Sequence, residues 1–211
     1  MSQERIRAAL AEASAALGAL MDDAPTLAAI EAAAAQIARC LAAGGTAYSC
    51  GNGGSLCDAM HFAEELSGRF RDDRPAYAAI AIADPGYLSC VANDYGYAHV
   101  FSRFLQAHGR AGDVLLAIST SGASANVVAA AREARQRGVF VIALTGRAAS
   151  ELSGHADLAI CTPGGRYADR VQELHIKVIH ILIELVEHRL AQLPVAGAAG
   201  QAPGMPAPGA A

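Results

Sequence analysis

The stretch Thr46-Ala47-Tyr48-Ser49-Cys50-Gly51-Asn52-Gly53-Gly54-Ser55 decides the fold. An apolar run that ends in a glycine cluster, followed by helical spacing to about Ser67, reads as strand, turn and helix. Apolar runs return at Ala78–Ala83, Asp113–Ser119, Val139–Thr145 and Asp157–Thr162. A helix through Arg137 follows the second of these, and a long one from about Asp169 to Leu190 follows the last. Strands this uniformly apolar, spaced by helices, belong to a parallel sheet covered on both faces. The expected fold class is therefore α/β, a three-layer α/β/α sandwich with a parallel sheet. Two Ala-rich helices, at Gln3–Leu20 and Thr26–Ala42, precede it; Asp23 or Thr26, beside Pro25, is expected to start the second. Thin alanine faces suit either close packing on a partner subunit or a cover for the domain's own core.

Composition supports a packed domain. The 211 residues are 53% hydrophobic and 17% charged, which excludes a disordered chain. One domain is expected over residues 1–193; residues 194–211, uncharged and rich in Ala, Gly and Pro, are expected to be a flexible tail. No apolar run approaches the ~18 residues of a membrane-spanning helix, and the N-terminus lacks a basic segment followed by a compact apolar one, so a cytoplasmic protein with no membrane partner is expected. The net charge is −4 and no basic run stands out, which argues against nucleic acid. Five scattered cysteines, Cys40, Cys50, Cys57, Cys90 and Cys161, fit reduced, mostly buried thiols better than a disulfide framework.

Two turns are candidates for chemistry. Gly51-Asn52-Gly53-Gly54-Ser55 would aim backbone N–H groups and a helix N-terminus at the carboxyl edge of the sheet, where α/β proteins bind anions; it matches neither dinucleotide nor nucleoside-triphosphate patterns. Glycine there also serves a tight turn with no ligand. Ser119-Thr120-Ser121-Gly122-Ala123-Ser124 places four hydroxyls beside a second helix N-terminus, more than capping needs, and points to phosphate. With no lysine in either loop, a small phosphate ester held by dipoles and hydroxyls is expected.

His61 and Glu65 lie four apart on one helix face, where they form either a cation site or a solvated pair. The long last helix adds Gln172, His175 and His180; His180, amid the run IHILIELV, is expected to be largely buried, as a core histidine, a catalytic group or a ligand. Gln172 and His180 are separated by a rise of about 12 Å and about 80° around the helix. If both serve one site, the helix starts late or bends, or a neighbouring chain supplies one of them.

The segments Ser49–Ser55, His61-Phe62-Ala63-Glu64-Glu65-Leu66, Ser119-Thr120-Ser121-Gly122 and Arg170-Val171-Gln172-Glu173-Leu174-His175-Ile176-Lys177-Val178-Ile179-His180 together resemble the phosphoheptose isomerase family of the sugar isomerase (SIS) superfamily. The resemblance runs from the opening helices to about Leu190. It implies the SIS fold and a homotetramer, with sites at subunit interfaces, that converts sedoheptulose 7-phosphate to D-glycero-D-manno-heptose 7-phosphate. That is the first step toward nucleotide-activated heptose for lipopolysaccharide or capsule. It implies one zinc ion per site on His61, Glu65, Gln172 and His180, with Glu65 as catalytic base and His180 as catalytic acid. Substrate contacts carry over to Asn52, Gly53, Gly54, Asn93, Asp94, Ser119, Thr120, Ser121, Ser124 and Gln172, and also to Arg69 and Asp169. Leu56 departs from a histidine found in some members and lies outside the ligand set. Two rivals share these turns: a tetrameric SIS adaptor that binds the bacterial replication initiator, and an isomerase or sensor for another sugar phosphate such as arabinose 5-phosphate. Tyr167-Ala168-Asp169-Arg170 ahead of Gln172 favours the isomerase over the adaptor.

Overall fold

A computed structural model describes residues 2–165 and 167–192. The expected tail, 194–211, lies outside the described residues. Five parallel strands form one sheet in the order β2-β1-β3-β4-β5: β1 Ala47–Cys50, β2 Ala79–Ala81, β3 Val114–Ser119, β4 Phe140–Thr145 and β5 Leu158–Cys161. β3 and β4 pair along their whole length, from Val114 opposite Phe140 to Ser119 opposite Thr145. Both faces of the sheet are covered. Val114, Leu116, Ile118, Ile142 and Leu144 point into a core shared with helices α2 (Ala24–Ala42), α3 (Gly54–Ser67) and α8 (Ala168–Ala191). Leu115, Ala117, Val141 and Ala143 point into a second core under α4 (Pro85–Tyr95), α5 (Ser102–His108), α6 (Ala125–Gln136) and α7 (Glu151–Gly154). The expected three-layer sandwich is therefore the observed one, and strands buried on both faces explain their unbroken apolar runs.

Carboxylates set where elements begin, and one of them, Asp113, is buried. Asp113 accepts hydrogen bonds from Thr46 N–H and Arg110 N–H, both at 2.8 Å, which fastens the entry of β1 to that of β3. Asp23 caps α2 through Thr26 N–H at 3.2 Å.

The two N-terminal helices divide the alternatives left open by their composition. α2 is a core cover, burying Ile30, Ala33, Ala34, Ile37 and Ala38. α1 (Ser2–Met21) buries only Leu20 and leaves Ile6, Leu10, Leu17 and Met21 exposed. Between Ala83 and Asp113 the sequence reading placed no element. The chain there forms α4, a 3-10 turn at Tyr97–His99 and α5. α4 buries only Val91 and so lacks the apolar stripe that makes a helix legible. Of the cysteines, all free, only Cys40 and Cys50 are buried; Cys161 is half-buried, and Cys57 and Cys90 are exposed, which corrects the expectation of mostly buried thiols.

Candidate active site

In the order β2-β1-β3-β4-β5 the chain winds outward in opposite directions from β1 and β3, so the loops that leave these two strands part and open a crevice at their carboxyl ends. Those loops are the two turns singled out in the sequence. Asn52 and Asn126 join them across the crevice by two amide hydrogen bonds of 2.8 Å. The Tyr97 hydroxyl donates to Asn52 Oδ1 at 3.1 Å, which brings the segment just after Asn93 and Asp94 to the first turn. Asn93 donates to Asp94 at 2.8 Å, and both are exposed.

In the second turn the hydroxyls are organised by the turn itself. Ser119 Oγ lies 3.0 Å from Ser124 Oγ and accepts from Gly122 N–H at 3.1 Å, while Ser121 Oγ accepts from Ala123 N–H at 3.2 Å. Ser124 is the N-cap of α6, yet its side chain caps nothing. Gly122 has φ +63°, and a Cβ there would stand 2.2 Å from Ser150 Oγ, so only glycine holds the turn in this shape. Thr120 and Ser121 open into a cavity of about 180 Å³ whose far wall is the Gly164–Gly165 loop and Ala168 at the start of α8.

Gln172 reaches the first turn. A Cβ on Gly54 would lie 2.7 Å from Gln172 Nε2, so the side-chain amide packs directly on the opening residue of α3. His180 sits farther along α8, beside His61 on α3, with the two Nε2 atoms 2.8 Å apart. Glu65 Oε1 lies 3.5 Å from His61 Nε2, and Glu64 Oε1 lies 3.0 Å from His61 Nδ1. His61, Glu64 and Glu65 thus form a group able to hold a metal ion. The Glu64 carboxylate holds Nδ1 as the protonated nitrogen and leaves Nε2 free to face His180. Burial, and then the neighbouring His61, lower the affinity of His180 for a proton, which favours the neutral imidazole a metal requires.

The described residues therefore form two clusters: a cradle of Asn52, Gly53, Gly54, Ser119, Thr120, Ser121, Ser124 and Gln172, and a His61/Glu65/His180 group. Gly54 and His61 are seven residues apart on α3, a rise of about 10 Å. α8 runs unbroken from Ala168 to Ala191, so Gln172 and His180 lie on one continuous helix and no late start separates them. Asp169, exposed, stands at the head of α8 on the cradle side. Arg69, exposed, follows the C-terminal end of α3.

His180 is half-buried, not largely buried as expected. The buried histidine is His175, fully enclosed, with neither ring nitrogen in a hydrogen bond. Burial pushes its imidazole down to about 4, opposed only in part by the Thr145 backbone. Asp58, half-buried one turn ahead of His61, has an unpartnered buried oxygen, and burial pushes its carboxyl up to about 6. Sequence reasoning passed over Asp58, Glu64 and Asn126. Their signal, a polar residue within a helical turn of a named site residue, is too common to single them out.

A parallel α/β sandwich with a hydroxyl-lined cradle at its switch point defines an SIS-domain protein, and the sequence pattern of the SIS domain family matches residues 11–146. The phosphoheptose isomerase of Tolumonas auensis is 57% identical over 191 residues, 90% of this chain and 100% of that protein. That of Aeromonas hydrophila is 56% identical over 192 residues, 91% of this chain and 100% of the relative. The solved structure of phosphoheptose isomerase GmhA from Neisseria gonorrhoeae superposes with a TM-score of 0.80 at 40% identity, covering 89% of this chain and 100% of the other. The chain belongs to the SIS domain family and, within it, to the phosphoheptose isomerases.

Proposed function

We infer that this protein is an aldose–ketose isomerase that converts sedoheptulose 7-phosphate to D-glycero-D-manno-heptose 7-phosphate through an enediol. The observation that carries the reading is the set of Ser119, Ser121 and Ser124 hydroxyls, arranged by their own turn and left unused by the helix they precede, in a chain 57% identical to a phosphoheptose isomerase. Two helix N-termini, the hydroxyls and the Asn52–Gly54 turn bind the phosphate and the sugar chain, so that binding far from the reacting carbons orients them. Asn93, Asp94, Arg69, Asp169 and Gln172 add contacts to the sugar.

Glu65 is the base that carries the proton between C1 and C2, and His180 the acid that serves the two oxygens. Glu65 Oε1, at 3.5 Å from His61 Nε2, makes no hydrogen bond there and is open to take a proton. One carboxylate and two imidazoles are the donor set zinc prefers, so His61, Glu65 and His180 would hold it, with Gln172 as a fourth ligand. Bound zinc supplies a Lewis acid for the substrate carbonyl. The separation of Gln172 from His180 along an unbroken α8, and the exposed apolar face of α1 at Ile6, Leu10 and Leu17, support a site completed between subunits of a homotetramer. Residues 1–193 are then the working unit, in the cytoplasm, feeding heptose to lipopolysaccharide or capsule.

The test is turnover of sedoheptulose 7-phosphate by the purified protein, before and after chelation and with zinc restored. Activity lost to chelation and regained with zinc is expected, and Glu65→Gln and His180→Gln are expected to lower kcat at least a hundredfold in folded protein. Absence of turnover in every condition would overturn the reading in favour of a non-catalytic SIS adaptor.

A further inference from the structure

We propose that Asn126 is a positioning residue that sets the polarity of the Asn52 amide, so that the Asn52 side chain can offer the substrate only a hydrogen-bond donor. Val127 N–H is one of the orphan donors in the first turn of α6, and the N-cap Ser124 leaves it uncapped. It donates to Asn126 Oδ1 at 3.0 Å. A backbone N–H cannot accept, so the Asn126 atom that faces it is oxygen, and the orientation of this 3% exposed amide is decided by the main chain. Asn126 Nδ2 is thereby turned toward Asn52 and donates to its Oδ1 at 2.8 Å. In return Asn52 Nδ2 donates to Asn126 Oδ1 at 2.8 Å.

The remaining capacity of Asn52 follows by counting. Its Oδ1 accepts from Asn126 and from the Tyr97 hydroxyl, which uses both lone pairs. Its Nδ2 carries two hydrogens, and Asn126 takes one. A single N–H is left, on a half-buried side chain at the rim of the cradle. Turning the Asn52 amide over would set oxygen against oxygen and nitrogen against nitrogen across both 2.8 Å contacts, so the donor is locked in place. Its partner must be an acceptor: a phosphate oxygen or a sugar oxygen of the bound ester. The same pair ties the turn after β1 to the helix after β3, so the two walls of the cradle are held at one spacing. This rests on the isomerase reading above.

The test is a double-mutant cycle on the full-length protein with sedoheptulose 7-phosphate as substrate. Asn126→Ala is expected to raise KM about tenfold while kcat changes by less than about threefold, the loss of one well-placed hydrogen bond. Asn52→Ala is expected to do the same. The double variant is expected to be no worse than Asn52→Ala, because a residue that acts only through Asn52 has nothing left to act on. Multiplied effects, about a hundredfold in KM, would overturn the proposal, as would Asn126→Ala with KM within about twofold of wild type. If Asn126→Ala does not fold, Asn126→Asp replaces it in the cycle with the same expectations, since it keeps an acceptor for Val127 N–H but sets an oxygen against Asn52 Oδ1. Wild-type protein without turnover would refute the isomerase reading and this inference together, whereas an active wild type with multiplied effects refutes the inference alone.

Discussion

His175 offers a stability measurement whose size follows from its surroundings. Its ring is fully buried, the Thr145 backbone offsets only part of that burial, and its proton affinity falls from an unfolded value of 6.5 to about 4. A histidine depressed in this way is neutral in the folded protein, and its environment costs nothing while the unfolded chain is also neutral, above about pH 7. As pH falls through 6.5 the unfolded chain takes up a proton that the native state refuses, so native stability drops until pH reaches about 4. The full difference is about 3 kcal/mol at 1.36 kcal/mol per pH unit, and about 2 kcal/mol of it is lost by pH 5. Urea unfolding at pH 7.5 and pH 5, at one fixed protein concentration, measures this for wild type and for His175→Leu. Leucine has similar bulk and nothing to protonate, so the variant is expected to match wild type within about 1 kcal/mol at pH 7.5 and to lose about 2 kcal/mol less on going to pH 5. Equal losses in the two proteins would refute the reasoning, because they would show that His175 titrates alike in both states.

Two other substitutions separate fold from function. Gly54→Ala puts a methyl 2.7 Å from the Gln172 amide, which is the end of a flexible side chain and can swing away. Thermal unfolding is expected to move by no more than about 1 kcal/mol, while kcat/KM for the heptose phosphate falls at least tenfold as Gln172 leaves the cradle. Arg74→Ala acts on stability. Arg74 pairs with Glu187 at 2.7 Å, donates to the carbonyls of Glu65, Leu66 and Gly68 at the end of α3, and stacks on Tyr77. Its loss takes a donor from each of those carbonyls, of which Leu66 keeps Tyr77 N–H, and leaves the mostly buried Glu187 unpaired; it is expected to cost about 3 kcal/mol in urea unfolding. Arg74→Lys should rescue little, since an ammonium cannot serve several carbonyls and a carboxylate from one place.

The amino-acid sequence by itself determined the layers and both turns. Strands buried on two faces must be apolar along nearly their whole length, as Val114 to Ile118 and Phe140 to Leu144 are, and that run is visible without coordinates. The glycines and hydroxyls of the turns are legible for a similar reason: backbone shape and anion binding restrict residue type at adjacent positions. The helices between Ala83 and Asp113 were not legible, because a helix that buries a single residue such as Val91 carries no period. The burial of the histidines also escaped reading. His175 and His180 sit five residues apart on one helix, and only the packing of α8 against the sheet and α3 decides that the first is enclosed while the second meets His61. Tertiary structure alone paired Asn52 with Asn126, which are far apart in the chain, since no local rule links a turn after β1 to a helix after β3. It alone set Gln172 against Gly54 and His180 against His61, because the packing of α8 on α3 is a property of the fold and not of any motif.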